Sequence, residues 1–422
     1  MNASTLVFCA FTFFYLATGT LFSQDKELTQ TGLEQVVAGD FREFRGKKIG
    51  LITNQTGVDR KGRHVADLFK QAANVNLVAL FGPEHGIRGS AEAGASVGHQ
   101  VDSATGLPVY SLYGATRKPT REMLQGIDAL VFDIQDVGAR FYTYISTMAL
   151  AVEAAAETNI EMYVLDRPNP LGDRVAGPVL DPKHRSFVGI HPIALQHGMT
   201  TGELARMFLG ERWIYSDDTT KSVNRSWSKL HVIPVTGWRR QVLAASDINW
   251  IPPSPNIPTL ATTLVYPGVC LLEATNVSEG RGTHEPFLMF GAPWIDSDAL
   301  AKHLQAEAEG IALTPISFTP VDLPGMAMNP KYEGEKCHGL KLRVTDSAKF
   351  APVKFGVALL VAFQQLYPNE FKMRPEGMAR LSGVAWVYEM ITANESSAAV
   401  WKRIEQDAEK FREQRQPYLL YK

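Results

Sequence analysis

Short apolar runs alternate with helix-like segments through the first half of the chain, and this alternation constrains the fold most. The apolar runs cover residues 48–53, 77–81, 107–114, 129–134 and 161–166. Strands that alternate with helices are typical of right-handed βαβ units, which build a mostly parallel sheet. The sequence therefore predicts an α/β fold organised around such a sheet.

Polar side chains cluster directly after four of these five runs. In an open α/β sheet, ligands bind in the crevice beyond the carboxyl ends of the strands, so we expect these side chains to form a site. The first loop lacks the GxGxxG and GxxxxGK[ST] patterns, which gives no support for a nucleotide site. The four clusters are Asn54 with Gln55, Glu84 with His85, Asp133 with Asp136 and Arg140, and Asp166 with Arg167 and Asn169.

The loop after the second apolar run contains three different ionisable side chains within a few residues. Pro83 ends the strand, because proline lacks the amide hydrogen that a sheet ladder needs. A carboxylate, an imidazole and a guanidinium follow within five residues, at Glu84, His85 and Arg88. This loop is our first candidate for a catalytic site, and the alternative is an ordinary polar loop between a strand and a helix.

A second candidate cluster lies between residues 271 and 283. It contains Glu273, Asn276, Glu279 and Arg281, and glycines flank Arg281 on both sides. Such glycines let the backbone bend around a ligand while the guanidinium projects. The alternative is a solvated loop with glycine turns. Just upstream, residues 252–258 hold too many prolines for a helix or a central strand, and they would suit the wall of a pocket.

Length and composition suit an exported globular protein of two domains. The chain has 422 residues, and its first 23 contain an apolar run and no Asp, Glu, Lys or Arg. This pattern predicts a cleaved signal peptide at 1–23, hence a periplasmic or secreted protein without a stable membrane anchor; an uncleaved anchor is the alternative. We divide the remainder into 24–199 and 200–422, the second part opening with a capped helix at Thr200 and Glu203.

The net charge and the number of cysteines further restrict the class of protein. The formal net charge of −2 gives no electrostatic argument for binding nucleic acid or an anionic membrane. Removal of the leader leaves Cys270 and Cys337, which are too few for a disulfide scaffold. They either pair after export or stay as two buried thiols.

The residue types at the predicted loops suit acid–base chemistry. In glycoside hydrolysis one carboxylic acid protonates the leaving oxygen, while a second carboxylate activates water or attacks the sugar. Glu84 would keep its proton near neutral pH in an apolar setting after a buried strand. A metal site of His85, Asp133 and Asp136 is the alternative. The two aspartates lie three residues apart, whereas haloacid-dehalogenase-like phosphatases have theirs two apart.

Five ordered segments together resemble the NamZ family of exo-β-N-acetylmuramidases, at 53–57, 81–86, 132–144, 166–170 and 279–283. These are exported bacterial glycosidases that release N-acetylmuramic acid (MurNAc) from the non-reducing ends of peptidoglycan fragments. The resemblance covers roughly residues 35–422. It implies a Rossmann-like domain packed on a smaller α/β (α+β) domain, an active site between them, a muramyl sugar such as MurNAc-GlcNAc as substrate, and no cofactor.

The resemblance implies that Glu84, in the Gly-Pro-Glu-His-Gly motif, is catalytic. We assign the other catalytic roles as hypotheses. His85 or Asp133 would position Glu84 or a water molecule, and Asp136 or Glu273 would be the second carboxylate.

The substrate-binding roles are hypotheses as well. Arg140 and Arg281 would bind the lactyl carboxylate of the muramyl sugar, because a guanidinium suits a carboxylate. Tyr142 and Tyr144 would stack on the sugar, or else pack in the core. The remaining candidates are Asn54 and Asn169 for hydroxyl or acetamido groups (with turn formation as their alternative), and Gln55, Arg88, Asp166, Asn276 and Glu279. A non-catalytic cell-wall sugar-binding protein and a metal-dependent hydrolase are the alternative functions.

Overall fold

The computed structural model describes residues 28–84, 86–89, 100–214, 226–244 and 247–422. The predicted signal peptide and His85 lie outside the described residues. Within these ranges no helix has the length and apolar character that crossing a bilayer requires.

Strands and helices alternate along the described chain as the apolar pattern predicts. The strands are β1 Lys48–Thr53, β2 Asn76–Gly82, β3 Gln100–Val101, β4 Pro108–Ser111, β5 Ala129–Asp133, β6 Glu161–Leu165, β7 Ala176–Val179, β8 Ala194–Gln196, β9 Leu230–Ile233, β10 Met289–Ala292, β11 Ile311–Phe318 and β12 Cys337–Val344. The helices are α1 Gly32–Ala38, α2 Val65–Gln71, α3 Tyr144–Thr158, α4 Thr201–Gly210, α5 Leu260–Val269, α6 Ser297–Leu304, α7 Pro352–Leu366, α8 Pro375–Ser382, α9 Trp386–Thr392 and α10 Ser397–Arg415.

A seven-stranded sheet forms the centre of the first domain. Its strand order is β3-β4-β2-β1-β5-β6-β9. The six strands from β4 to β9 pair in parallel, and only the short edge strand β3 runs antiparallel to its neighbour. The predicted α/β fold with a mostly parallel sheet is therefore confirmed.

The two faces of the sheet are separated by the alternation of side chains along each strand. In β5, Leu130 and Phe132 belong to one buried apolar cluster, while Ala129 and Val131 belong to another. Helices α3 and α4 cover the first face, and α1 and α2 cover the second. Because strands buried on both faces have no polar side, the residues of β5 are apolar until the strand ends at Asp133.

A smaller second domain is built on an antiparallel sheet of three strands, β10-β12-β11, with α5, α6 and α7 around it. Helices α5 and α7 approach closely where Gly268 faces Gly356. A Cβ atom on Gly268 would lie 2.0 Å from the Pro352 carbonyl oxygen, so only glycine permits this contact. The expectation of a second, smaller domain is confirmed. Cys270 and Cys337, the two cysteines in the described part of the chain, are buried and unpaired.

The two parts of the chain are joined at several points. The capping box predicted at the start of α4 is present, with the Glu203 amide donating to Thr200 Oγ1 (3.2 Å) and the Thr200 amide donating to Glu203 Oε2 (3.0 Å). Strand β9 extends the first sheet with residues beyond 200. The end of the chain also returns to this sheet, because the Tyr421 hydroxyl donates to Asp166 Oδ2 at 2.5 Å. The division at residue 200 stays a prediction.

Candidate active site

A cavity of about 420 Å³ opens beside the carboxyl end of β2. It brings together the loop after β2, the segment that leads into α3, and the short 3-10 turn Cys270–Ala274 with the loop that follows it. Of the sequence-predicted residues that the structure describes, five line the cavity, namely Glu84, Tyr142, Tyr144, Glu273 and Arg281.

Glu84 is held by a tight turn directly after β2. The Gly82 carbonyl accepts a hydrogen bond from the Leu112 amide (2.7 Å), and Pro83 follows without an amide hydrogen of its own. The Gly86 amide then donates back to the Pro83 carbonyl at 3.0 Å. Half-buried Glu84 is therefore presented to the cavity by a closed turn.

Tyr113 is a neighbour of the Glu84 carboxyl group. Burial is the main cause that raises the pKa of Tyr113, to about 12; the charge of Glu84 and a hydrogen bond to its side chain act in the same direction. The phenol therefore keeps its proton at neutral pH and can donate it in a hydrogen bond to the carboxylate.

Tyr142 and Tyr144 form an aromatic wall of the cavity, with their rings edge to face at 4.9 Å. Tyr144 is fixed, because its hydroxyl donates to the Pro253 carbonyl oxygen at 2.5 Å. The Tyr142 hydroxyl has no hydrogen-bond partner among the described residues, although it is buried. Burial raises the pKa of both phenols, and the charge of Glu84 adds to the effect on Tyr144.

Glu273 and Arg281 form an ion pair at the cavity. Arg281 Nε and Nη2 both donate to Glu273 Oε1, at 3.1 and 2.7 Å. The other oxygen, Glu273 Oε2, has no protein hydrogen bond among the described residues. The predicted bends are present, because Gly280 and Gly282 have φ angles of +81° and +78°. Buried Glu279 lies behind this pair, bound to Lys331 Nζ at 2.8 Å.

Asp133 is buried at the end of β5 and forms a two-pronged ion pair. Arg167 Nε and Nη2 donate to its two oxygens at 2.6 and 2.9 Å. Asp133 does not line the cavity. In this arrangement it positions Arg167 rather than Glu84, and both of its oxygens are occupied.

Asp136 is also buried and does not line the cavity. Its Oδ2 accepts the Gly138 amide at 2.7 Å and lies 3.8 Å from His197 Nε2. Burial raises the pKa of Asp136 to about 7 and lowers that of His197 to about 3. These two groups are therefore neutral together in weakly acidic solution.

Arg140 requires a correction to its expected role in binding a substrate carboxylate. Its side chain is buried, and Nη1 donates to the Pro178 and Ile193 carbonyls at 2.9 and 3.0 Å. Nη2 donates to the Leu381 carbonyl at 2.9 Å, and burial lowers the pKa of the guanidinium to about 9. Since these carbonyls occupy the guanidinium, Arg140 ties the end of α8 to the first domain instead of facing the cavity.

The two asparagines fit the turn-forming alternative. Asn54 Oδ1 accepts from the Thr56 amide and hydroxyl at 2.9 and 2.6 Å. Asn169 Oδ1 accepts from the Leu171 amide at 2.9 Å. Neither lines the cavity. Asparagine side chains that bond to the backbone two residues ahead stabilise turns.

Four further predicted residues are engaged outside the cavity. Their partners are the Pro252 carbonyl for Gln55 (3.0 Å), Asp67 and Asp102 for Arg88 (2.7 and 3.0 Å), Thr200 Oγ1 for Asp166 (2.6 Å), and the Glu370 carbonyl for Asn276 (2.8 Å). These contacts hold loops together at the carboxyl edge of the sheet and in the second domain. The described residues contain no group of three His, Cys, Asp or Glu side chains arranged to hold a metal ion.

Sequence reasoning missed several residues of the cavity. The most informative are Tyr113, Arg117, Tyr266 and Arg380, together with the aromatic ring of Phe187. Arg117 and Arg380 lie in segments without a strand signal, and the fold brings both to the lining of one cavity. The proline-rich segment did signal a pocket wall, because Ser254 lines the cavity.

Comparison with known proteins agrees with this architecture. Residues 49–261 match the family model of the exo-beta-N-acetylmuramidase NamZ N-terminal domain, and residues 264–421 match that of its C-terminal domain. The peptidoglycan beta-N-acetylmuramidase NamZ of Bacillus subtilis (strain 168) is 43% identical over 400 residues, which cover 94% of this chain and 92% of that protein.

Two crystal structures of DUF1343 family proteins from Bacteroides fragilis NCTC 9343 have the same fold. One gives a TM-score of 0.82 at 37% identity and the other 0.74 at 34%, each covering 93% of this chain and 99% of the solved one. Matches over both domains, together with this level of identity, show that the chain belongs to the NamZ family of exo-beta-N-acetylmuramidases.

Proposed function

We propose that this protein removes terminal N-acetylmuramic acid from the non-reducing ends of peptidoglycan fragments by carboxylate acid–base catalysis. The observation that carries the proposal is that Glu84 and Glu273 line one cavity, reached from different domains. Membership of the family supplies the class of reaction, and the two carboxylates supply groups able to perform it.

Glu84 is the proposed general acid. Its proton passes to the oxygen that joins the muramyl sugar to the next sugar, while the bond from C1 to that oxygen breaks. The turn at Pro83 fixes the backbone before Glu84, and the Tyr113 phenol lies beside its carboxyl group. A positioned acid of this kind contributes about 10²- to 10⁴-fold to the rate.

Glu273 is the proposed second carboxylate, in preference to Asp136. Arg281 binds Glu273 Oε1 through two hydrogen bonds, while Oε2 has no protein hydrogen bond within the described residues. Oε2 either takes a proton from the attacking water or attacks C1 itself. Asp136 is less suited, because it is buried away from the cavity and its pKa, raised to about 7, favours the neutral form in weakly acidic solution.

The aromatic wall completes the proposed sugar site. Phe141 and Tyr266, with ring centroids 5.2 Å apart, join Tyr142 and Tyr144 along the cavity. Aromatic walls bury the apolar faces of a sugar ring, and the unpartnered Tyr142 hydroxyl offers a hydrogen bond to a sugar hydroxyl.

A pair of disaccharides tests the proposal. The protein should release free MurNAc from MurNAc-GlcNAc and leave GlcNAc-MurNAc intact, as followed by mass spectrometry. Proton NMR of the first-formed anomer then separates inversion from retention. Cleavage of GlcNAc-MurNAc, or of neither disaccharide, would contradict the proposed specificity.

The proposed place of action is outside the cytoplasm. This rests on the leader-like segment 1–23, which precedes the described residues. Sequencing the N-terminus of the mature protein from periplasm and culture medium tests the proposal, and we expect cleavage near Ser23. A protein that keeps residue 1 and stays in the cytoplasm would contradict export.

A further inference from the structure

Two arginines at the cavity have no carboxylate partner among the described residues. Arg117 and Arg380 both line the cavity and are exposed. They differ from Arg281, whose guanidinium is bound by Glu273, and from Arg140, whose guanidinium is bound by backbone carbonyls. Charged donors that lie at a cavity without a protein acceptor are available to a ligand.

The two arginines approach the cavity from opposite parts of the chain. Arg117 lies four residues after Tyr113, on the Glu84 side, and its guanidinium carbon is 4.6 Å from the centre of the Phe187 ring. Stacking on a ring holds the plane of a guanidinium and leaves its edge free for hydrogen bonds. Arg380 is in α8, which packs against the turn that carries Glu273.

The charge of the cavity lining favours an anionic ligand. The described lining contains three arginines, Arg117, Arg281 and Arg380, and two carboxylates, Glu84 and Glu273. Positive charge is therefore in excess even with both carboxylates ionised.

We infer that Arg117 and Arg380 form the subsite that binds the carboxylate of the muramyl substrate. This inference rests on the proposed function, because a muramyl sugar differs from a glucosaminyl sugar by its carboxylate-bearing lactyl ether. The carboxylate has two possible sources. It is the lactyl group itself in a peptide-free sugar, or a carboxylate of the stem peptide where the lactyl group is amidated.

Kinetics on three chromogenic substrates test the inference. They are aryl β-MurNAc, its lactyl methyl ester, and aryl β-MurNAc bearing an L-Ala-D-isoglutamine stem. Arg117→Gln and Arg380→Gln should each lower kcat/KM on the free acid by about 10- to 100-fold, the usual effect of losing a charge-assisted hydrogen bond. They should lower kcat/KM on the methyl ester by less than about threefold, because that ester has no charge to lose.

Arg45→Gln is the matched control, because Arg45 is exposed, with 62% of its side chain accessible, and pairs with Asp40.

A loss of kcat/KM that is selective for the peptide-free acid identifies the lactyl carboxylate as the ligand. A loss of kcat/KM that is confined to the peptide-bearing acid identifies the carboxylate of the stem peptide. Variants that keep the wild-type preference for both acids over the ester would overturn the inference while leaving the proposed function intact.

Calorimetric titration with free MurNAc and its methyl ester provides a readout that needs no turnover. Wild type should bind the acid more tightly, and each arginine variant should lose that difference. Absence of turnover by wild type on every muraminide would refute the proposed function, and this titration would still decide the inference. Equal binding of free MurNAc and its methyl ester by wild type would overturn the inference.

Discussion

Replacement of Asp136 by asparagine should change how stability depends on pH. Burial raises the pKa of Asp136 from 3.8 to about 7 in the folded protein. Between these two values the folded state holds a proton that the unfolded chain has released. The free energy of unfolding therefore contains a contribution that is fully present below pH 3.8 and is lost as the pH rises through about 7.

The size of this contribution follows from the two pKa values. Their difference corresponds to about 4 kcal/mol, and about 3 kcal/mol of it lies between pH 4.5 and pH 8. An asparagine keeps the acceptor for the Gly138 amide and carries no charge at any pH. The free energy of unfolding of wild type minus that of Asp136→Asn should therefore fall by about 3 kcal/mol from pH 4.5 to pH 8.

Urea unfolding of both proteins at several pH values measures this difference. Asp166 and His191 also have shifted pKa values, but both proteins keep them and their contributions cancel. Asp407→Asn in α10 is a control that should leave the profile parallel to wild type. A wild-type minus variant difference that does not change with pH would contradict a raised pKa for Asp136 in the folded protein. A difference that is largest near pH 6 would contradict it as well, because it would indicate that Asp136 and His197 form a charged pair.

Three further variants test particular contacts. Arg140→Met should lower the free energy of unfolding by about 3 kcal/mol or more in urea titrations, because three buried carbonyls lose their donor. An unchanged urea midpoint together with a raised KM would instead support a role of Arg140 in binding the substrate carboxylate. Tyr421→Phe should lower the free energy of unfolding by about 1–3 kcal/mol in the same assay, because it removes the hydroxyl that donates to Asp166. An unchanged free energy of unfolding would contradict the view that this hydrogen bond anchors the end of the chain. Tyr113→Phe should lower kcat by about tenfold with an unchanged circular dichroism spectrum, because Glu84 loses its orienting hydrogen bond; full activity would show that Tyr113 does not orient the acid.

Much of the fold could be predicted because it depends on local pattern. The apolar run of β5 and the capping pair Thr200 and Glu203 are local signals, and both elements form where they predict. The two turns of the candidate site could also be predicted in part from local sequence. Pro83 and the flanking glycines of Arg281 mark the two turns that present carboxylates to the cavity.

The errors arise where burial and long-range contact decide a role. Arg140 and Asp136 sit in a polar segment after a strand, as ligand-binding residues do, but both are buried. Backbone carbonyls occupy the Arg140 guanidinium, and Asp136 lies against the Gly138 amide and His197. Arg117 and Arg380 are separated by more than half of the chain, so no spacing in the sequence brings them to one cavity. Sequence patterns indicate which residues end strands, whereas the packing of the domains decides which of those residues face a ligand.

In the proposed reaction Glu84 supplies the proton for cleavage of a muramyl glycoside. Release of the chromophore from an aryl β-N-acetylmuraminide by wild type and Glu84→Gln tests it most directly, with the N-acetylglucosaminide as control and with and without a chelator. We expect turnover of the muraminide alone, no effect of the chelator, and a loss of activity of at least about 10²-fold in a Glu84→Gln protein that remains folded. Equal turnover by Glu84→Gln, or turnover that a chelator abolishes and a divalent metal restores, would contradict it.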